Sequence, residues 1–336
     1  MTRPRVLLLC GGRSDEHEVS LASARSVVAA AGNKFEVTPL VIAKTGQLLP
    51  PDTSARALST GRTPEASEAG GLERLESTAF DVVLPLLHGP FGEDGSVQGL
   101  LKIMGLPFVG SDVLGSAVGM DKGMMKAVFA AHGFLQVQHR VVTRSAWQRE
   151  PEAVLRSLAP LPYPLFVKPA NLGSSVGVSR AGSRAELTAA LTEAARFDRR
   201  VVVEQGLVGA RELEVGVLGN DDPETSVVGE IRFESPFYDY QSKYTEGEAS
   251  LLIPADVPDV VAARCRELAL AAFAAVDAAG LARVDFFLHE GALYLNEINT
   301  MPGFTTTSMY PKLWEATGVP YGALLGRLIE LALEGR

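Results

Sequence analysis

The chain has 336 residues, 46% hydrophobic and 21% charged, with a net charge of −9. That length suits two or three domains with a sizeable core, and the acidic balance excludes the basic face of a nucleic-acid binder or of a protein drawn to anionic membranes. The two cysteines, Cys10 and Cys265, lie in apolar segments with no spacing suited to zinc or to a disulfide framework.

No stretch reaches the roughly 18 uncharged apolar residues of a membrane span, and the apolar run near the N-terminus is too short for a signal peptide. We therefore expect a cytoplasmic protein with neither nucleic acid nor membrane as a partner.

In chain order, residues 5–10 (RVLLLC) form a buried-strand run ending in Gly11-Gly12. A helix from Ser14 to Ala31, stopped by Gly32, and a strand over Phe35–Ile42 follow, which is a βαβ opening and predicts a parallel sheet. Gly11-Gly12-Arg13-Ser14 is not the GxGxxG of a dinucleotide site and reads as a tight turn. Residues 44–77 are rich in Thr, Ser, Pro, Gly and Glu and read as an exposed excursion.

A strand over Asp81–Leu87 leads into His88-Gly89-Pro90-Phe91-Gly92-Glu93-Asp94-Gly95, the strand end where open α/β sheets bind ligands. Residues 100–125 are helical in part, and Ser145–Gln148 and Ser183–Glu186 carry the spacing of helix capping boxes.

The strand Leu165–Pro169 places Lys168 directly before Asn171-Leu172-Gly173-Ser174-Ser175-Val176-Gly177. A Gly/Ser loop exposes backbone N–H groups that can cradle phosphate, and a lysine beside it adds a point charge. A solvent hairpin turn fits that loop equally well. Strands at 201–204 and 211–218 come next, then the polar, aromatic segment 233–250, whose composition suits a lid. Residues 256–279 read as an amphipathic helix with Cys265 on its apolar face, and 321–333 as a closing helix.

The chemistry is concentrated in Arg283–Ser308. Two apolar runs, 284–288 and 292–298, flank His289-Glu290-Gly291, a hairpin signal. Side chains alternate along a strand, so Arg283 and Asp285 share one face, and Glu297 and Asn299 share one. In a suitable register, two carboxylates and an amide oxygen converge, the hard donor set of Mg²⁺. Sequence alone leaves the register open, and a solvent-facing hairpin edge is the alternative.

One ordered set of motifs runs through the chain: Glu16 in SDEHEVSL, HGPFGEDGSVQG at 88–99, MDK at 120–122, and VKPANLGSSVGV at 167–178. It continues with FYDYQSKY at 237–244, RVDFF at 283–287 and NEINTMPGFTTTSMYP at 296–311. The set resembles the D-alanine–D-alanine ligase family of the ATP-grasp superfamily across essentially the whole chain.

That resemblance implies an ATP-grasp fold of mixed α/β and α+β class. Its parts would be an N-terminal parallel-sheet α/β domain (1–112), a small central domain (113–203) and a larger C-terminal α+β domain (204–336) with its lid at 233–250. It implies ATP, two Mg²⁺ ions (Mn²⁺ substituting), two D-alanine substrates and a homodimer.

By position, Glu16 would meet the ammonium of the first D-alanine, with His88 beside it. Ser175 would link Glu16 to Tyr244, Gly303 and Ser308 would hold the second D-alanine, and Arg283 would stabilise the tetrahedral intermediate. Lys122, Lys168, Ser174, Ser175 and Lys243 would contact the phosphates, Glu204, Gln205 and Leu207 the adenine, and Glu212 the ribose. Asp285, Glu297 and Asn299 would hold the metal. Gln205 departs from the lysine frequent in the family, at a position that acts largely through its backbone.

Two rivals differ in kind. A ligase making D-alanyl-D-lactate carries histidine where Tyr244 stands, and a nucleotide-sensing module has little use for Arg283 together with three metal donors.

Overall fold

The structure is a computed structural model that describes residues 3–63, 79–173, 177–233 and 249–334. Three sheets organise these residues. The first is parallel, with β2 (Glu36–Ile42) and β3 (Val82–Leu86) on either side of β1 (Arg5–Gly11). Its strands are nearly continuous apolar runs because both faces are covered, as parallel sheets require. Helix α1 (His17–Ala31) packs on it through Leu21, Ala24 and Val27.

The excursion after Ile42 contains a helix, α2 (Pro51–Thr60), at odds with the exposed reading of that segment. Pro51 suits its first turn, and Ala57 and Leu58 join the core. Residues 64–78, the rest of the excursion, lie outside the described residues.

Three short helices lead on: α3 (Ser96–Ile103), α4 (Val113–Met120) and α5 (Lys122–Ala131). The second sheet is antiparallel, in the order β4 (His139–Thr143), β7 (Arg200–Gln205), β5 (Leu165–Pro169), β6 (Ser179–Ala181). It is backed by α6 (Arg144–Arg149), α7 (Pro151–Leu158) and α8 (Arg184–Phe197).

Ser183 caps α8, its hydroxyl accepting from the Glu186 N–H, as the spacing predicts. The cap of α6 is Thr143, which accepts from Ala146 N–H, so this helix begins earlier than the Ser145 signal suggested. β7 continues to Gln205, one residue past the strand end expected at 204.

The third sheet runs β10 (Ala249–Leu252), β9 (Glu224–Phe233), β8 (Arg211–Gly219), β11 (Gly280–His289), β12 (Ala292–Asn299), all antiparallel. Helix α9 (Asp259–Ala275) buries Cys265 and Phe273 against it, and Gly280 opens β11 rather than stopping the helix. Helices α10 (Met309–Ala316) and α11 (Tyr321–Leu333) close the chain. α11 returns to the first sheet, placing Leu324, Leu325, Leu328 and Ile329 in the same core as β1 and β3.

Candidate active site

At the C-terminal end of β1 the chain turns through Gly11 and Gly12 into α1. The turn is tied by His17 Nδ1 to the Gly12 carbonyl oxygen at 2.7 Å and by Gly11 N–H donating to Ser20 Oγ at 2.7 Å. Glu16 stands at the N-cap of α1, where the helix dipole favours an acid.

Its buried carboxylate lies between two glycines from distant segments. A Cβ on Gly89 would approach Glu16 Oε2 to 2.6 Å, and a Cβ on Gly173 would do the same. Gly89 also has φ +75°, so only glycine suits it on both counts. The glycine loop after β5 thus meets the strand end of the first sheet. A cavity of about 170 Å³ opens there, with Glu16, Ser14, Arg13, Phe91 and Gly173 in its wall.

His88 is buried beside Glu16, and both its ring nitrogens go to protein partners: Nε2 to Ser23 Oγ at 3.2 Å and Nδ1 to the Met301 carbonyl at 3.3 Å. Burial pulls its pKa down, against the opposing pull of Glu16. So placed, His88 braces the cavity wall.

Glu93, to which the sequence analysis gives no role, sits against the same group. It accepts the Gly89 N–H at 2.7 Å, and its carboxyl is 3.9 Å from His88 Nδ1. Burial, reinforced by the nearby Glu16 charge, pushes its pKa up to about 8.

Beyond Gly173, Lys122 donates to the Leu172 carbonyl at 2.8 Å. Lys168 pairs with Glu204 at 2.7 Å, and a second lysine, Lys126, reaches the other oxygen of Glu204 at 2.9 Å. Burial works to raise the Glu204 pKa, but Lys126 and Lys168 outweigh it and hold the carboxyl well below the usual range. Burial likewise works against the charge on Lys168, and Glu204 and Glu297 overcome it.

Lys126 is as deeply buried as any apolar side chain of α5, and nothing in the motif reading singled it out. Its signal was a lysine inside the apolar helical run Met124–Phe129. Gln205 bonds through its backbone N–H to the Gln138 carbonyl at 2.8 Å, and Leu207 follows on the connection to β8, which carries Glu212.

The hairpin β11–β12 sets the register of the candidate metal donors. Asp285 stands directly opposite Glu297, and Arg283 opposite Asn299. Counting back from the turn, His289 faces Ala292 and Phe286 faces Leu295, a register that would oppose Asp285 to Asn296. A β-bulge between Asp285 and Phe286 absorbs Asn296 and shifts the pairing by one. Without it, Glu297 and Asn299 would point to the other face, because side chains alternate. Lys126 donates to the Asn296 carbonyl at 3.3 Å, so the bulge and Glu204 share one lysine.

Arg283 grips Asp285 with two hydrogen bonds of 2.7 Å, and Asn299 Nδ2 donates to Asp285 at 3.0 Å. Burial works against the guanidinium charge, but Asp285, Glu214 and Glu297 outweigh it and raise its pKa further.

Among the described residues no three His, Cys, Asp or Glu side chains lie close enough to hold a metal by themselves. Two carboxylates and an amide remain a fit for Mg²⁺. That ion takes one or two protein carboxylates and completes its shell with water and substrate phosphates. Arg283 supplies the positive charge this acidic face needs.

Gly303 and Ser308 also come together, a Gly303 Cβ standing 3.2 Å from Ser308 Oγ. Ser174, Ser175, Lys243 and Tyr244 lie outside the described residues. A larger hollow of about 460 Å³, lined by Arg144, Trp147 and Arg196 among others, contains none of these groups. Arg144 there is spent on the Ala195 carbonyl at the end of α8.

Residues 5–111 match the family described as D-ala D-ala ligase N-terminus, and residues 128–330 the one described as D-ala D-ala ligase C-terminus. The chain belongs to the D-alanine–D-alanine ligase family.

A relative from Deinococcus radiodurans, named D-alanine--D-alanine ligase, is 57% identical over 99% of both chains. One of the same name from Geobacillus kaustophilus is 49% identical, covering 99% of this chain and 95% of the relative.

Among solved structures, the D-alanine-D-alanine ligase from Coxiella burnetii superposes with a TM-score of 0.83. It is 34% identical and covers 99% of this chain and 95% of its own. The VanG D-Ala:D-Ser ligase from Enterococcus faecalis gives 0.85 at 32% identity, over 98% and 100%. Membership in this ligase family accounts for a site assembled from all three sheets.

Proposed function

We propose that this protein joins two D-alanines into D-alanyl-D-alanine, consuming ATP and releasing ADP and phosphate. Such a product serves peptidoglycan precursor synthesis in the cytoplasm. The observation that carries the reading is Asp285 facing Glu297 across the bulged hairpin, with Lys168 close enough to feel the Glu297 charge. Two full-length relatives bear the name of that activity.

An amide does not form from a free carboxylate, so the carboxylate of the first D-alanine must be activated. Phosphoryl transfer from ATP converts it to D-alanyl phosphate, the amine of the second D-alanine attacks, and phosphate leaves as the tetrahedral intermediate collapses. Such chemistry rests on positioning and charge neutralisation, not on a protein nucleophile. That suits a chain whose two cysteines are buried with their thiol pKa values pushed up to about 12 by burial.

In this reading Glu16 anchors the first ammonium, and His88 and Glu93 shape the wall behind it. Lys122 and Lys168, with Ser174, Ser175 and Lys243, neutralise the phosphates. Glu204, Gln205 and Leu207 hold the adenine edge, and Glu212 the ribose. Arg283 faces the oxyanion, Gly303 and Ser308 receive the second D-alanine, and Tyr244 acts through Ser175 on Glu16. Asp285, Glu297 and Asn299 would hold Mg²⁺, which when bound would supply positive charge to offset that of the phosphates. The division into three domains and a homodimer belong to the same proposal.

The test is product analysis with D-alanine, D-serine and D-lactate supplied together, from pH 6 to 8. The second D-alanine attacks as the free amine, whose pKa in peptides is near ~8, so dipeptide formation should rise across this range. A tyrosine phenol, whose ordinary pKa is about 10, cannot reproduce a lid histidine that titrates near neutrality. D-Alanyl-D-alanine should dominate throughout. Abundant D-alanyl-D-lactate at pH 6, or mainly D-alanyl-D-serine, would move the assignment to the corresponding ligases.

A further inference from the structure

Three acids stand in one row across three neighbouring strands. Glu214 on β8 is opposite Asp285 on β11, and Asp285 is opposite Glu297 on β12. Cross-strand partners share a face, so the row presents three carboxylates side by side in a poorly solvated place. Glu297, Asp285 and Asn299 suffice for the metal proposal, and Glu214 is left without a function there.

Among the described residues it faces Arg283. The guanidinium sits two residues before Asp285 on the same face and leans into the row. Nε lies 3.1 Å from Glu214 Oε2, while the same Nε and one terminal nitrogen hold Asp285. Directly across from Arg283 on β8 is Gly216, where a Cβ would come within 2.9 Å of Trp314 Nε1 and 3.2 Å of Tyr310 Cε2. Helix α10 therefore closes over position 216, and no side chain fits there to steer the arginine.

We propose that Glu214 is the positioning residue of Arg283, an inference that rests on reading Arg283 as the group facing the tetrahedral intermediate. A divalent cation on Asp285 competes for the electron density of the oxygens that accept from Arg283 and loosens that bidentate grip. As the grip loosens, Glu214, only 5% exposed, keeps the guanidinium in the row. Without Glu214, Arg283 falls back on Asp285 and competes with the metal. Glu214 therefore acts on both metal binding and turnover, and on both through Arg283.

The experiment compares wild type, Glu214→Gln, Arg283→Ala and the double variant. Mn²⁺ binding in the presence of ADP is followed by electron paramagnetic resonance, kcat and KM by steady-state kinetics, and folding by thermal melting. Glu214→Gln should bind Mn²⁺ on the order of tenfold more weakly, as expected when a partner of a ligand is removed, with a similar fall in kcat. KM for ATP should stay within about twofold, since the row is used after nucleotide binding. In the Arg283→Ala background the added Glu214→Gln should change neither Mn²⁺ affinity nor residual turnover, the signature of one residue acting through another.

Wild-type behaviour of Glu214→Gln overturns the proposal, and so does an equal loss in both backgrounds, which would make Glu214 a ligand or a structural acid. If Glu214→Gln alone does not fold, Glu214→Asp, which keeps the charge but draws it back from Arg283, takes its place in both backgrounds and is read against the same outcomes. Wild-type turnover of Arg283→Ala would instead remove the underlying reading of Arg283. The Mn²⁺ comparison would then still report whether Glu214 works through it.

Discussion

Replacing Glu204 by glutamine should destabilise the fold severely, and the structure allows the size of the effect to be worked out. The Glu204 carboxylate is almost fully buried and receives Lys126 at 2.9 Å on one oxygen and Lys168 at 2.7 Å on the other. Glutamine keeps the shape, but one end of its amide is a donor and would point N–H groups at an ammonium.

Lys168 retains some solvent contact and the nearby Glu297, so its loss is the smaller one. Lys126 is 1% exposed and, among the described residues, keeps the 3.3 Å bond to the Asn296 carbonyl. Leaving a buried charge uncompensated in this way costs about 3–5 kcal/mol. The assay is urea unfolding at pH 7, read as a shift in midpoint at constant slope.

Adding Lys126→Met to Glu204→Gln removes the stranded ammonium and should recover about 2 kcal/mol or more. The sign with pH follows from the depressed Glu204 pKa. The wild-type advantage is complete above the ordinary value of 4.5 and shrinks as acid protonates the carboxylate, so the gap between the two proteins narrows below pH 4.5. A gap under 1 kcal/mol at pH 7, or one unchanged down to pH 3.5, would refute the reasoning.

Three further outcomes can be measured independently. Glu297→Gln should weaken Mn²⁺ binding in the presence of ADP and lower turnover on the order of 10²-fold; ordinary activity at ordinary Mg²⁺ would remove the metal assignment. Glu93 has its pKa raised to about 8, so the fold favours the protonated carboxyl and unfolding releases a proton between pH 4.5 and 8. Its contribution makes the protein less stable as pH rises through that window, by about 3 kcal/mol at pH 7, and Glu93→Gln should flatten this slope in denaturation curves. Gly173→Ala places a Cβ 2.6 Å from Glu16 Oε2 at a φ that alanine accepts, so melting should barely change while KM for D-alanine rises by about tenfold; an unchanged KM would separate Gly173 from the amine subsite.

Much of this could be read from the residues. Buried runs such as Val6–Leu9 and Val82–Leu86 announced the parallel sheet, and the 321–333 periodicity gave α11 its bounds. Asp285, Glu297 and Asn299 stood out because charged and amide groups are rare inside apolar strands.

The missed groups share a physical cause: their meaning depends on partners far away in sequence. Lys126 reads as an ordinary helix lysine until it meets Glu204 and the Asn296 carbonyl. Glu93 has no legible role until burial and Glu16 are known, nor has Glu214 until Arg283 is seen against it. Conversely, His88 looked ready for a ligand, but Ser23 and Met301 take its two nitrogens. The register of the hairpin did leave a trace in the sequence. The buried positions of β12, Leu295 and Ile298, are three residues apart, an odd interval that a regular strand cannot show.

That odd interval makes the hairpin a parity switch. Deleting Asn296 would let the pairing run regularly from the turn with Glu297 still opposite Asp285, so every residue from Glu297 onward would keep its face. Straightening the strand with Asn296 retained would do the opposite: Ile298, now in the core, would be turned toward the site, and Glu297 and Asn299 would be pushed into the space beneath the sheet. Descendants of this chain can therefore exchange side chains along the hairpin, or lose the bulge together with its extra residue, yet cannot straighten the strand at its present length while keeping both the core and the acidic face.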